Sequence, residues 1–313
     1  SFDSLIFTVV DQVNNAKSYG VTDDSMNISF AKMNLQAGKR SMEVSDFVSA
    51  LQYVVYGISF LPDAKWASPT YELSLDLHEA AALACFVNVD NVYLERYLEA
   101  IFENATRFED KIKAYYIMAQ NLASLNRVKE AMSTVFFVLS ELDEDVPDSV
   151  SATDVQRTML STKQMLDGYS KEDIVSLPRL KDEKKQWAVK LMSFITPYAF
   201  MASPRHLPIL ANRIINILLT QGSCKEAAFG LSNYSLCAIS ILHDIEAGYG
   251  YGKISIALLE SFNAKDRLIP RIKSLLQNMV NYLVEPIQST ASVLLQTYEE
   301  LRSTGDNSHA ALA

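Results

Sequence analysis

Glycine, proline and cysteine are scarce in this chain of 313 residues, which contains 10, 9 and 3 of them. So few turn-forming residues predict long helices joined by few tight turns. The cysteines, Cys85, Cys224 and Cys237, are odd in number and scattered in apolar surroundings. That pattern is typical of buried free thiols in a reducing compartment, so we expect a cytoplasmic protein.

Basic residues are too few for a nucleic-acid-binding protein. The chain has 28 Lys and Arg against 37 Asp and Glu, a formal net charge of −9, whereas nucleic-acid binding usually requires a basic face. Long apolar runs are also missing, and none approaches the roughly 18 residues that a membrane span requires. We therefore expect neither nucleic acid nor membrane among the partners.

Strand patterns are nearly absent, and apolar residues recur at spacings of three and four almost everywhere, which predicts an all-α fold. The run from Ile269 to Leu301 shows this spacing, with Pro286 inside it. Because proline removes a backbone donor and clashes with the preceding turn, we predict two helices there, at 266–284 and 286–303.

Motifs for chemistry are missing as well. Residues 248–253 (GYGYGK) fail the phosphate-binding pattern G-x-x-x-x-G-K-[ST], and we interpret them as a glycine-rich bend between helices. The four histidines have no cysteine at metal-ligand spacing, and no G-x-S-x-G is present. We therefore predict no catalytic residue, metal or cofactor. An all-α enzyme stays an alternative, although Asp23–Asn27 lacks the last aspartate of a D-D-x-x-D motif.

A twelve-residue step suggests repeated helical hairpins. Gly38, Ala50 and Pro62 follow one another at this interval, and Ala119 and Ala131 repeat it. Two antiparallel helices approach closely only where side chains are small. With a middle hairpin at about 73–105 and turns near Ser45, Asp90 and Asn126, the sequence predicts an irregular tetratricopeptide-like α-solenoid of antiparallel hairpins.

Residues 143–185 are acidic and rich in turn-formers, so we predict a connecting seam at 146–184 between helical halves at 1–145 and 185–313. The chain begins at Ser1, and residues 309–313 form an apolar, helix-favouring end. From this we expect a fragment of a longer protein.

Many single residues match one known helical region in order and spacing. They are Ala37-Gly38-Lys39, Phe47, Ala50, Tyr53, Gly57, Leu61, Trp66, Tyr71, Leu73, Leu75, Leu77, Glu79 to Ala81, Asp110-Lys111, Ala114-Tyr115, Glu130-Ala131, Val138-Leu139, Leu177-Pro178, Pro204, Gly222-Ser223, Ala227, Tyr234, Gly248-Tyr249, Gly252, Leu258, Arg271, Pro286, Tyr298 and Gly305-Asp306. This order resembles the tetratricopeptide-like region that follows the nucleotide-binding domain of STAND-type ATPases. The variety it resembles belongs to large hybrid signalling proteins with serine/threonine-kinase-like and histidine-kinase domains.

The resemblance implies that ATP binding and kinase chemistry belong to neighbouring domains. The present region would then be a non-catalytic regulatory solenoid that binds a protein segment or its own ATPase domain. In a solenoid frame the concave face would be lined by the first helix of each hairpin. The candidate binding residues are Lys32, Lys39 and Met42 from the first hairpin, and Lys113, Tyr116 and Gln120 from the third.

A second hypothesis is a small-ligand sensor with a pocket between the two halves. The aromatic residues Trp187, Phe194, Tyr198 and Phe200 would lie near it. Their spacing is equally typical of an ordinary core helix.

Overall fold

The computed structural model describes residues 2–20, 24–262, 268–303 and 310, and this part of the chain is helical without a strand. The all-α prediction is therefore confirmed. The chain divides into two compact units, Ser1–Arg127 and Val128–Ala313. The first holds α1 (Phe2–Ser18), α2 (Asn27–Glu43), α3 (Phe47–Ser59), α4 (Tyr71–Val87), α5 (Asn91–Asn104) and α6 (Ile112–Ser124). The second holds α7 (Val128–Glu141), α8 (Ala152–Leu166), α9 (Lys171–Val175), α10 (Glu183–Ala202), α11 (His206–Gln221), α12 (Ala227–Leu242), α13 (Ile245–Glu260), α14 (Leu268–Met279) and α15 (Ile287–Ser303).

In the first unit each helix from α2 to α5 packs against the next, and α4 also contacts α2 and α6. The small residues of the twelve-residue step lie where α2 and α3 meet. Ala50 is fully buried, and a Cβ atom added to Gly38 would lie 2.6 Å from Val54 Cγ1 and 3.3 Å from the Ala50 carbonyl oxygen. The predicted close approach of these two helices at Gly38 is therefore present.

The turns after α2, α4 and α6 share one backbone geometry. Residues Ser45, Val89 and Asn126 have φ values of 64°, 60° and 60°. In each turn the next amide donates to a carbonyl five residues back, as in a Schellman motif. These bonds run from Asp46 to Ser41 (2.8 Å), from Asp90 to Cys85 (2.9 Å) and from Arg127 to Leu122 (2.8 Å). The turns lie where the sequence predicts them. Ser45 takes the left-handed position, and the next residue, Asp46, caps α3 by accepting a hydrogen bond from the Ser49 amide.

In the second unit α7 packs on α10, α8 on α11 and α12, and α9 on α13. The Lys185 Nζ atom on α10 donates to Glu144 Oε1 at 2.6 Å and to the Leu142 carbonyl oxygen at 3.2 Å. Residues of the predicted seam thus form helices that belong to the packing of this unit. The division between Arg127 and Val128 differs from the predicted one at 145, which stays a prediction.

The glycine-rich segment at 248–253 is not a bend, so that interpretation is wrong. It lies inside α13. A Cβ on Gly248 would lie 2.8 Å from the Ser235 carbonyl oxygen, and one on Gly252 would lie 3.0 Å from Leu276 Cδ2. Glycines four apart share one side of a helix, and here they let α12 and α14 approach α13 closely.

The helix pair around Pro286 is confirmed, although its bounds differ from the predicted ones and residues 266 and 267 lie outside the described residues. The first helix, α14, ends at Met279, and a 3₁₀ turn at Asn281–Leu283 precedes α15. Gly305, Asp306 and the end at 309, 311–313 lie outside the described residues, as do Ser1 and Asp23.

Candidate functional site

Two ion pairs join the first helices of the predicted hairpins in the first unit. Lys39 Nζ on α2 lies 2.7 Å from Asp76 Oδ2 on α4, and Lys113 Nζ on α6 lies 2.7 Å from Glu79 Oε2 on α4. Asp76 and Glu79 are three residues apart and therefore neighbours on one side of α4. We call the surface formed by Lys32, Lys39, Asp76, Glu79, Lys113, Tyr116 and Gln120 the α2–α4–α6 face.

The two pairs differ in burial. The Lys39 and Asp76 side chains are 52% and 47% exposed, whereas Lys113 is 38% and Glu79 11% exposed. Burial raises the pKa of Glu79, and the opposing attraction of Lys113 does not fully offset it. The inner pair is thus part of the packing, and the outer pair is open to exchange with solvent or ligand.

The other candidate residues are placed as follows. Lys32 is exposed on α2, two turns before Lys39 and hence on the same side. Tyr116 and Gln120 are half-buried on α6, one and two turns after Lys113. Met42 is half-buried and packs against the core cluster that includes Leu35 and Phe60. The structure therefore brings the two paired lysines to one surface, whereas Met42 packs against the core.

Sequence reasoning missed the acidic partners on α4. Asp76 and Glu79 lie in the middle hairpin. Because this hairpin lacks the pair of small residues twelve apart, the sequence predicted no binding residues on its first helix. The sequence does contain one indication of their role: Asp76 and Glu79 are three residues apart on α4, which follows the Lys39 helix and precedes the Lys113 helix.

A second polar cluster holds the segment between α5 and α6. Arg107 donates to both Asp110 oxygens, at 2.7 and 3.2 Å, and the Tyr71 hydroxyl donates to Asp110 Oδ2 at 2.7 Å. Burial acts to raise the pKa of Asp110, but the hydrogen bonds from Arg107 and Tyr71 outweigh it and lower the pKa. This cluster fixes α6, and hence Lys113, relative to α4.

Cys85, Cys237, His78 and His206 are buried, whereas Cys224 is half-buried and His243 is exposed. All three cysteines are free, as predicted. Burial raises the pKa of each thiol to about 12, so the thiolate is disfavoured. Burial also lowers the pKa of His78, whose Nδ1 lies 2.6 Å from the Ser74 carbonyl oxygen. Among the described residues no group of three His, Cys, Asp or Glu side chains could hold a metal ion.

The four aromatic residues of the sensor hypothesis are distributed along α10. Phe194 and Tyr198 pack against each other with ring centroids 5.5 Å apart. Lys190 Nζ lies 4.4 Å from the Trp187 ring centroid. Phe200 is 42% exposed and borders a groove of the second unit.

Within the part of the chain that the structure describes, no helix combines the length and the apolar character needed to cross a membrane. Comparison with known proteins gives no match: no family model, curated protein or solved structure matches the chain.

Proposed function

We propose that the chain is a non-catalytic interaction module, an irregular tetratricopeptide-like α-solenoid that binds an extended protein segment on the α2–α4–α6 face. The observation that supports this proposal most is the adjacency of the pairs Lys39–Asp76 and Lys113–Glu79 on three helices. Such a row of side chains presents both positive and negative charges to a bound peptide. Helical-repeat proteins use extended surfaces of this kind for binding.

The exposure of the outer pair favours an acidic segment. An exposed ion pair contributes about 0–1 kcal/mol, so a ligand carboxylate can replace Asp76 beside Lys39 at little cost. Lys32 lies seven residues earlier on α2, a rise of about 10 Å. A polyproline-II segment advances about 9 Å over its three-residue turn. Two carboxylates three residues apart in the ligand would therefore reach Lys32 and Lys39 together.

Fluorescence anisotropy with short labelled peptides tests this. We expect a peptide with two acidic residues three apart to bind more tightly than its basic or neutral counterparts. Lys32→Glu and Lys39→Glu should each weaken binding about tenfold, because each replaces an attraction by a repulsion. Arg96→Glu is the matched control, since Arg96 is exposed on α5 and stacks on Tyr93. Equal losses in all three variants, or no binding, would contradict the proposed face.

We further propose that the bound segment belongs to a partner or to an ATPase domain of the parent chain, and that binding holds this domain in one activity state. Pull-down of such a domain by this region, with and without Lys39→Glu, is the direct test. Absence of binding, together with unchanged ATPase activity after deletion of the region, would remove the regulatory role and leave the peptide-binding face to be judged separately.

A further inference from the structure

A groove of about 560 Å³ lies in the second unit where α8, α10, α11 and α12 meet. Its walls are mainly apolar and include Val155, Phe200, Leu236 and Ile241. The floor is part of the core, because Cys237 is 1% exposed. The volume falls in the range of small-molecule sites, about 300–1,000 Å³. Apolar wall left open to water is unfavourable, so an apolar occupant would be stabilised there.

One charged side chain, Arg205, stands among the residues that line this groove. Its Nη1 atom lies 3.5 Å from the Val150 carbonyl oxygen, the outer limit of a hydrogen bond. Arg205 forms no ion pair with any residue that the structure describes, and no carboxylate lines the groove. The uncharged polar residues of the lining are Gln156, which is exposed, and Ser240, which already donates to the Leu236 carbonyl oxygen at 2.9 Å. The groove thus combines an apolar body with one available cation.

We propose that this groove binds a small amphipathic carboxylic acid. Its aliphatic body lies against Val155, Phe200, Leu236 and Ile241, and its carboxylate pairs with the Arg205 guanidinium. The planar guanidinium presents parallel N–H groups that match a carboxylate, which favours an acid over an alcohol or an amine. The bounded volume favours a small molecule over a long helix or a second copy of the chain. This site lies in the second unit and is independent of the α2–α4–α6 face.

Isothermal titration of the full chain with straight-chain acids from hexanoate to decanoate tests the proposal. Affinity should rise about fourfold with each added methylene, since burying a methylene contributes about 0.8 kcal/mol. Decanoate should bind about tenfold more tightly than decanol, and decylamine more weakly than either. No binding, or equal affinity for the acid and the alcohol, would overturn the proposal.

Three variants assign the binding to the groove. Arg205→Gln should reduce decanoate affinity about tenfold and leave decanol unchanged. Ala152→Trp should abolish both, because Ala152 is exposed at the groove and an indole there fills it without entering the core. Arg157→Gln is the control, since Arg157 lies on α8 outside the lining. Circular dichroism verifies the fold of each variant. Unchanged decanoate binding in Ala152→Trp would overturn the assignment. It would also be overturned if decanoate does not bind and sedimentation shows a dimer that Ala152→Trp dissociates, because the groove would then be covered by a second copy of the chain.

Discussion

Among single residues, Lys113 and Lys39 have the same chemistry and the same 2.7 Å distance to a carboxylate, yet their partners differ in burial. Glu79 is nearly enclosed, whereas Asp76 is half exposed. Removing a cation beside a mostly buried carboxylate leaves a poorly solvated charge without its partner, and this costs far more than removing a cation at the surface. The two lysines are therefore not equivalent, although the sequence presents them in the same role.

We expect Lys113→Met to destabilise the protein by about 1–2 kcal/mol at neutral pH and Lys39→Met by less than about 0.5 kcal/mol. The pKa of Glu79 is already raised above its ordinary value of 4.5 by burial. The folded state then binds the extra proton, so stability rises as pH falls from the raised pKa towards 4.5. Loss of Lys113 raises the pKa of Glu79 further. The loss of stability in Lys113→Met should therefore be smaller in mild acid, because Glu79 is then protonated and uncharged.

Urea denaturation at pH 7 and pH 5 measures this difference. The double variant Lys113→Met with Glu79→Gln should recover most of the loss, because it leaves no buried charge. A loss of stability in Lys113→Met that is equal at both pH values and is not relieved by Glu79→Gln would show that the unpaired charge of Glu79 is not its cause.

Sequence reasoning finds such residues unevenly. Helical spacing within each hairpin predicts Lys39 and Lys113 as surface residues, and the structure brings both to one surface. Asp76 and Glu79 could not be assigned, because their partners depend on the register between helices that are more than thirty residues apart. Burial at Met42 likewise depends on neighbours that its own helix does not specify.

Among the helices, α13 shows how a helix-breaking composition is overridden by packing. Glycine is a poor helix former, and three glycines in five residues favour a bend when the sequence is considered alone. The absence of side chains at Gly248 and Gly252 allows close contacts with α12 and α14, and these contacts stabilise the helix. The helix is therefore specified by its neighbours, and sequence reasoning without them fails at this segment.

Two glycines of α13 give a matched prediction. A Cβ on Gly248 would meet the Ser235 carbonyl oxygen at 2.8 Å as well as the Ile239 side chain, whereas a Cβ on Gly250 would meet nothing within 4 Å. We expect Gly248→Ala to destabilise by about 1–3 kcal/mol through overpacking. Gly250→Ala should stabilise by about 0.5–1 kcal/mol through helix propensity.

Thermal unfolding of both variants decides between packing and propensity. Because the two positions are two residues apart in one helix, propensity alone would shift both in the same direction. A stabilised Gly248→Ala would show that α12 and α13 are not as close as described.

For the whole molecule, the sequence and the structure place the division into two units at different positions, near 145 and between Arg127 and Val128. An acidic, turn-rich stretch predicts the boundary near 145, but α7 and the residues after it pack against α10 and α11. The ring centroids of Phe136 on α7 and His206 on α11 are 5.3 Å apart, and Lys185 Nζ lies 2.6 Å from Glu144 Oε1. Turn composition marks where helices end and does not reveal which helices share a core.

Two fragments test the boundary. We expect residues 128–313 to unfold cooperatively and residues 146–313 to be markedly less stable. The shorter fragment exposes the surface that α7 covers and leaves Lys185 without Glu144, losses of several kcal/mol together. Urea denaturation of both fragments measures this. Equal stability would place the boundary near 145, as composition predicts.

The turns at Ser45, Val89 and Asn126 carry a consequence for how such turns are recognised. One backbone geometry is filled by three unrelated side chains, of which the β-branched Val89 is the least suited to positive φ. The hydrogen-bond pattern therefore sets the geometry of these turns, and the side chain at the left-handed position does not. Glycine is the most favourable residue there, because it has no Cβ atom to oppose a positive φ. Turns of this kind can therefore be recognised from the path of the main chain where the side chains at the left-handed position have nothing in common.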